Sequence, residues 1–262
     1  MAKIGLGVIT CNRPDFFKKC YESISQDKIN ELVVVNDGDD IDYNHTGHYI
    51  KNEKNLGVGK SKNIALKYLL DKKCDYLFLI EDDILITKPE VFEEYIKYIE
   101  KTGIEHLMFG YHGPANKPNG KITPRVVIDY GDNVNLALNY HCVGAFCVYT
   151  ANLLNKIGLF DEQFVNAWEH VEHSYQAVKN GYLPGYWWWP DIQNSYEFLN
   201  EQACSEVNSA IRPRADWKQN IQDGAKYFND KHKYLPWTVP DTKSGDIINF
   251  LRSKKTALNS SK

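Results

Sequence analysis

The stretch Asp75-Tyr76-Leu77-Phe78-Leu79-Ile80-Glu81-Asp82-Asp83 decides how this chain folds. Residues 76–80 are an unbroken apolar and aromatic run that stops at three consecutive acids. Such a run, bounded by a polar turn, reads as a strand covered on both faces, the pattern of a parallel sheet. Three adjacent carboxylates at its end repel one another, and a hard divalent cation with oxygen ligands offsets that repulsion. Alone, the acids read equally well as a solvated turn; the neighbouring segments decide between the two.

Towards the N-terminus, residues 4–10 predict a first buried strand, and Pro14 opens a helix to about Ser25, where its missing N–H costs nothing. Residues 31–36, with Leu32-Val33-Val34-Val35, predict a central strand that ends in the polar turn Asn36-Asp37-Gly38-Asp39-Asp40. A short strand follows at 49–52. The glycine turn Asn55-Leu56-Gly57-Val58-Gly59 then leads into a helix over 60–70, and beyond the acids a helix covers 89–101. This alternation predicts an α/β fold with a Rossmann-like, doubly wound, mostly parallel sheet. Ligands of such sheets bind beyond the carboxyl ends of the strands, where Asn12, Asp37 and Asp82 all fall.

The second half reads less regularly. Strands are expected over 106–111, 125–130 and 145–149, and a helix over 169–180 closed by Gly181. Trp187-Trp188-Trp189-Pro190 reads as an extended segment with Trp187 and Trp189 on one side and Trp188 on the other. From about Ala203 the chain turns polar, with helical stretches near 214–228 and 245–254. His112 and His141 read as ordinary loop histidines.

Composition narrows the function classes. The 262 residues are 43% hydrophobic with a net charge of −3, which fits a globular chain and argues against a large nucleic-acid footprint. The six cysteines show no C-x-x-C spacing, so they read as reduced, buried thiols rather than zinc ligands. The chain opens Met-Ala-Lys directly into a strand pattern, and no apolar run is long enough to cross a bilayer. A cytoplasmic location without an integral membrane segment is the expectation. Gly57-Val58-Gly59-Lys60-Ser61 fails the spacing of a Walker phosphate loop.

Four motifs in order, Thr10-Cys11-Asn12-Arg13-Pro14, Val35-Asn36-Asp37-Gly38, Asn55-Leu56-Gly57 with Asn63, and Glu81-Asp82-Asp83, resemble the signature of family 2 glycosyltransferases with the GT-A fold. The resemblance implies that Thr10, Asn12, Arg13 and Asp37 line the nucleoside pocket, with Asn55, Gly57 and Lys62 bordering the nucleotide. Lys62 stands where the family usually carries Arg. Asp82 would touch the ribose or the metal, and Asp83 would ligate Mn2+ or Mg2+ bridging the diphosphate of a nucleotide-sugar, UDP being the family's tendency. Residues 1–202 would form the GT-A domain, with a nucleotide-binding half over 1–100 and an acceptor-side half over 101–202, followed by a helical C-terminal extension over 203–262.

A second constellation, Phe160-Asp161-Glu162-Gln163-Phe164 and Trp168-Glu169-His170-Val171-Glu172-His173, resembles the acceptor-side motif of GT-A galactosyltransferases. Trp168, Glu172 and Trp188 would contact the acceptor, and His173 would be a further metal ligand or acceptor contact. The Asp expected as catalytic base is His170 here, so Glu169 and His170 stand as a candidate pair, either of which could take the acceptor's proton. The implied activity is hexosyl transfer to a hydroxyl acceptor, a glycan first, with inversion. The alternatives are a modified nucleic-acid base or a protein as acceptor, a nucleotidyltransferase (whose basic glycine-rich loop is missing after the first strand), and a non-catalytic carbohydrate- or nucleotide-binding module.

Overall fold

The acidic stretch does end a central strand. In the computed structural model, which describes residues 2–42, 44–202 and 209–260, the first half runs β1 (Ile4–Thr10), α1 (Pro14–Glu22), β2 (Glu31–Asn36), β3 (His48–Lys51), α2 (Val58–Asp71), β4 (Tyr76–Glu81), β5 (Ile84–Ile86) and α3 (Val91–Thr102). The second half adds β6 (His106–Met108), β7 (Val126–Asp129), β8 (Asn135–Asn139), β9 (Phe146–Thr150), α4 (Ala151–Ile157), α5 (Glu169–Lys179), β10 (Trp189–Ile192), β11 (Leu199–Glu201), α6 (Trp217–His232) and α7 (Ser244–Ser260).

The main sheet has the order β3-β2-β1-β4-β9-β6. Its first four strands are parallel, whereas β9 pairs antiparallel with both β4 and β6. The central register sets Thr10 beside Asn36 and Ile9 beside Glu81, so the carboxyl ends of β1, β2 and β4 meet at one edge. Smaller sheets, β10-β8-β7 and β11-β5, flank this one. The fold is the mostly parallel α/β arrangement expected.

Glycines on β1 let a helix approach. A Cβ on Gly7 would lie 2.7 Å from the Cβ of Ala65 on α2, and one on Gly5 would lie 2.7 Å from a Leu69 methyl. On the other face of the sheet Phe78 meets Phe92 of α3 edge-to-face, 5.0 Å between ring centroids. Side chains alternate along a strand, so α2 and α3 cover opposite faces, which is the double winding.

The C-terminal helices share the core: Phe228, Val239, Ile247 and Leu251 are buried in the same apolar cluster as the sheet, and α7 packs on α3. The tryptophan run departs from simple alternation. Trp187 has a left-handed backbone (φ 68°), so the strand begins only at Trp189. Cys11, Cys20, Cys74, Cys142 and Cys147 are free thiols, while Cys204 lies outside the described residues. Among the described residues no helix is long and apolar enough to cross a membrane.

Candidate active site

A cleft of about 620 Å3 opens where β1, β2 and β4 end, a size that suits a small-molecule ligand. Asp37 and Asn55 form its floor at one end. Asp37 Oδ1 accepts from Asn52 Nδ2 (2.7 Å) and the Leu56 amide (2.7 Å), and Oδ2 accepts from Asn55 Nδ2 (3.0 Å) and the Gly57 amide (2.8 Å). Each carboxylate oxygen therefore carries two hydrogen bonds from the chain itself. Gly57 turns at φ 89° into α2, and the side chain of Asn166 accepts from the Val58 amide (3.0 Å) to cap that helix from 108 residues away.

The three acids separate by the alternation of β4. Glu81 faces α2 and pairs with Lys62 Nζ at 2.7 Å. Asp82 faces the other way, accepts from Thr10 Oγ1 at 2.7 Å and pairs with Arg13. Burial pushes the Asp82 carboxyl up to about 7 against the opposing pull of Arg13. Asp83 lies just past the strand end, where Arg13 Nη1 donates to its Oδ2 at 3.3 Å.

The Oδ1 of Asp83 is buried and accepts no hydrogen bond from the described residues. His112 Nε2 lies 3.6 Å from it. A buried, unmatched carboxylate oxygen is costly, and a hard cation, which takes carboxylate and phosphate oxygens, would offset that cost here with the imidazole as a second ligand. The residues present therefore fit Mn2+ or Mg2+. Among the described residues no three His, Cys, Asp or Glu side chains converge on a metal position.

Across the cleft, α5 begins with Glu169 and His170, both of which line it. Glu169 is buried, 3.6 Å from Lys62 Nζ and 3.0 Å through Oε1 from His170 Nδ1. Burial works to raise its pKa, but His170 beside it and Lys62 behind outweigh that and hold it at about 2. A carboxylate only accepts, so His170 Nδ1 must carry a proton, and in the neutral ring Nε2 is the atom with the lone pair. His170 sits where a Cβ on Gly144 would come within 2.8 Å of its ring.

Of the expected residues, Thr10, Arg13, Asp37, Asn55, Asp82, Asp83, Glu169 and His170 line the cleft together. The others stand behind or away from it. Asn12 braces the Asp39 amide through its Oδ1 (2.6 Å), and Gly57 supplies the turn. Lys62, expected at the nucleotide, is buried under Glu81 and Glu169, with Nζ also donating to Gly144 O at 3.0 Å. Trp168 donates its indole N–H to Ile221 O (3.0 Å). Glu172 accepts from Lys231 (2.8 Å) and Gln176 (2.8 Å) and binds His232 (3.1 Å), fastening α5 to α6. His173 Nε2 bonds Gly158 O (2.9 Å) and its ring packs on Phe160. Trp188 lies under Arg125 (3.7 Å) and donates to Asp241 (2.8 Å). Glu172, His173 and Trp188, expected at the metal or the acceptor, make these contacts within the chain and do not line the cleft, while His173 Nδ1 is buried with no hydrogen-bond partner among the described residues.

Reading the sequence alone missed Glu81, Asn166, His112 and Arg214. Only Glu81 carried a local signal, since period-two alternation sends it to the α2 face. His112 is placed by a distant tether, the Gly110 amide bonded to Asp191 Oδ2 at 2.9 Å. Arg214 reaches the cleft from the C-terminal region to bond Asn55.

Comparison with known proteins agrees with this arrangement. A family model described as glycosyl transferase family 2 matches residues 6–158. An uncharacterized glycosyltransferase of Acanthamoeba polyphaga mimivirus is 28% identical over 200 residues, 74% of this chain and 73% of its own. The crystal structure of S. aureus TarS superposes with a TM-score of 0.51 at 14% identity, over 98% of this chain and 54% of that one. The mannosyltransferase PcManGT from Pyrobaculum calidifontis, in complex with GDP-Man and Mn2+, gives 0.52 at 11% identity over 97% and 69%. GalNAc-T7 with UDP, GalNAc and Mn2+ gives 0.54 at 9% identity over 99% and 56%. At such identities the likeness is one of fold, and the chain spans about half the length of the TarS and GalNAc-T7 chains.

Proposed function

The chain belongs to glycosyl transferase family 2 and is a glycosyltransferase of the GT-A fold, and from that premise we propose that it moves a hexosyl group from a nucleoside-diphosphate sugar to a glycan hydroxyl with inversion. What supports the reading is one juxtaposition: a single cleft joins the unsatisfied Asp83 Oδ1 to the Glu169–His170 pair. PcManGT holds GDP-Man and GalNAc-T7 holds UDP, each with Mn2+, so both nucleotides are donors to test.

Asp83 and His112 would hold Mn2+ or Mg2+, which supplies charge to the departing diphosphate. Arg13, paired to Asp82 and Asp83, adds a fixed positive charge on the same side. His170 Nε2 takes the proton from the acceptor hydroxyl. The acceptor oxygen attacks the anomeric carbon, the bond from that carbon to the diphosphate breaks, and the nucleoside diphosphate leaves with the electron pair. The proton remains on His170, whose imidazolium Glu169 stabilises. One displacement inverts the anomeric centre.

A thermal-shift panel of UDP, GDP and their sugars, with and without Mn2+, tests the donor half of this reading. A ligand that binds only the folded chain raises its melting temperature. A metal-dependent rise with a nucleotide supports the donor site, and no rise with any nucleotide removes it.

A further inference from the structure

At the floor of the cleft, Asp37, which the resemblance places in the nucleoside pocket, has no lone pair to spare. Both oxygens of Asp37 are doubly occupied by Asn52, Asn55, Leu56 and Gly57. Asn55 is also engaged: its Nδ2 donates to Asp37, and its Oδ1 accepts from Arg214 Nη1 at 3.0 Å. Arg214 therefore reaches this floor from a segment 159 residues away, and it lines the cleft with Ser209, Ile211 and Arg212.

The way Arg214 is held decides what it can offer. Its Nε donates to Asp216 Oδ1 (3.1 Å) and its Nη2 to Asp216 Oδ2 (3.2 Å), a two-pronged fork on one carboxylate. With Nη1 on Asn55, three of the five N–H donors of a guanidinium are spent around its edge. A planar cation clamped at its edges from two directions keeps its faces for contact. Guanidinium planes stack on aromatic rings, bases included.

We propose that Arg214 holds the donor's nucleobase by stacking the face of its guanidinium on the base, over the floor made by Asp37 and Asn55. Asp216 is then a positioning residue that fixes the plane. The proposal rests on the donor reading above and adds to it which residue grips the base, and by which surface.

Calorimetric titration of the full chain with UDP, with GDP and with pyrophosphate, each with Mn2+, separates base from phosphate. Arg214→Lys keeps the positive charge and loses the plane; it is expected to weaken the better-bound nucleotide about tenfold and to leave pyrophosphate unchanged. Asp216→Asn, which loosens the fork, should show a smaller loss of the same kind. Thermal melts of both variants confirm that they fold, since both positions are on the surface segment. Nucleotide affinity unchanged in Arg214→Lys overturns the proposal, as does an equal loss for nucleotide and pyrophosphate, which would make Arg214 a phosphate contact. If the unaltered chain binds neither nucleotide, the donor reading itself falls and takes this proposal with it.

Discussion

His170 Nδ1 lies 3.0 Å from Oε1 of Glu169, and Glu169 is buried while His170 is partly open to the cleft. This relationship separates two residues that the sequence left as equals. Glu169 is held as a carboxylate at about 2, too weak a base to take a hydroxyl proton near neutrality. His170→Ala is expected to lower kcat by about a hundredfold or more while donor affinity is kept. Glu169→Gln leaves the base but lets the amide present the wrong partner to Nδ1, so kcat should fall with little change in donor binding. Steady-state kinetics with calorimetric donor titration checks both, and full turnover in His170→Ala would remove it as the base.

The Asp83 carboxylate carries a separate expectation. Asp83→Asn removes the charge from the unmatched oxygen, and His112→Ala removes the imidazole 3.6 Å away. Each should weaken Mn2+ binding by about tenfold or more, read from the spectrum of free Mn2+ by electron paramagnetic resonance, with no need of turnover. His173→Ala, whose ring serves the Phe160 contact, should leave Mn2+ affinity unchanged. The opposite order, with His173 mattering and His112 not, would return the metal ligand to the position expected from the motif.

His106 gives the fold a pH dependence with a defined sign. It is buried, Nδ1 bonds Val148 O (3.0 Å), Nε2 bonds Ser174 Oγ (3.1 Å), and its ring stacks on Tyr149 at 4.2 Å. Burial above all lowers its pKa from 6.5 to about 3. The folded chain thus holds this ring neutral while the unfolded chain protonates it. Its contribution is fully present above pH 6.5 and is lost as pH falls towards 3, by about 1.4 kcal/mol per pH unit. His106→Phe keeps a stacking ring and cannot protonate. Whatever its stability at pH 7, the gap to the natural chain should shift in its favour by about 2 kcal/mol between pH 6.5 and 5, measured by urea unfolding. A gap that does not move with pH would mean that His106 is accessible to protons in the folded state.

What the sequence made legible follows physical range. Continuous apolar runs and the turns that end them are local, so β1, β2 and β4 and the acids at their ends could be placed in advance. Residues 145–149 read correctly as a strand, but its antiparallel entry between β4 and β6 depends on contacts across the sheet that no local pattern records. The partition of Glu81 from Asp82 was available from alternation along β4 and was obscured by treating the acids as one cluster. Trp187 to Trp189 could not be oriented because a left-handed residue at Trp187 breaks the alternation. His112 and Arg214 were out of reach for a different reason: the first follows Gly110, tethered to Asp191 81 residues on, and the second is tethered to Asn55 159 residues back.

Lys62 is where the family signature and the structure assign different work to one residue. Motif position makes it a nucleotide contact. The structure buries it, 2.7 Å from Glu81 and 3.6 Å from Glu169, with its third partner at Gly144 O. Removing one member of a buried charge set leaves the others uncompensated, at a cost of about 3–5 kcal/mol. Lys62→Met, close in volume, should therefore lower the unfolding free energy by about that amount. Adding Glu169→Gln to it should restore part of the loss, because the second change removes the carboxylate left without its cation. A donor contact predicts the reverse pattern: stability nearly intact, nucleotide affinity reduced, and no rescue by the second substitution. Urea unfolding of the two variants beside a nucleotide titration distinguishes them, since the buried bridge shows in the first measurement and a donor contact only in the second.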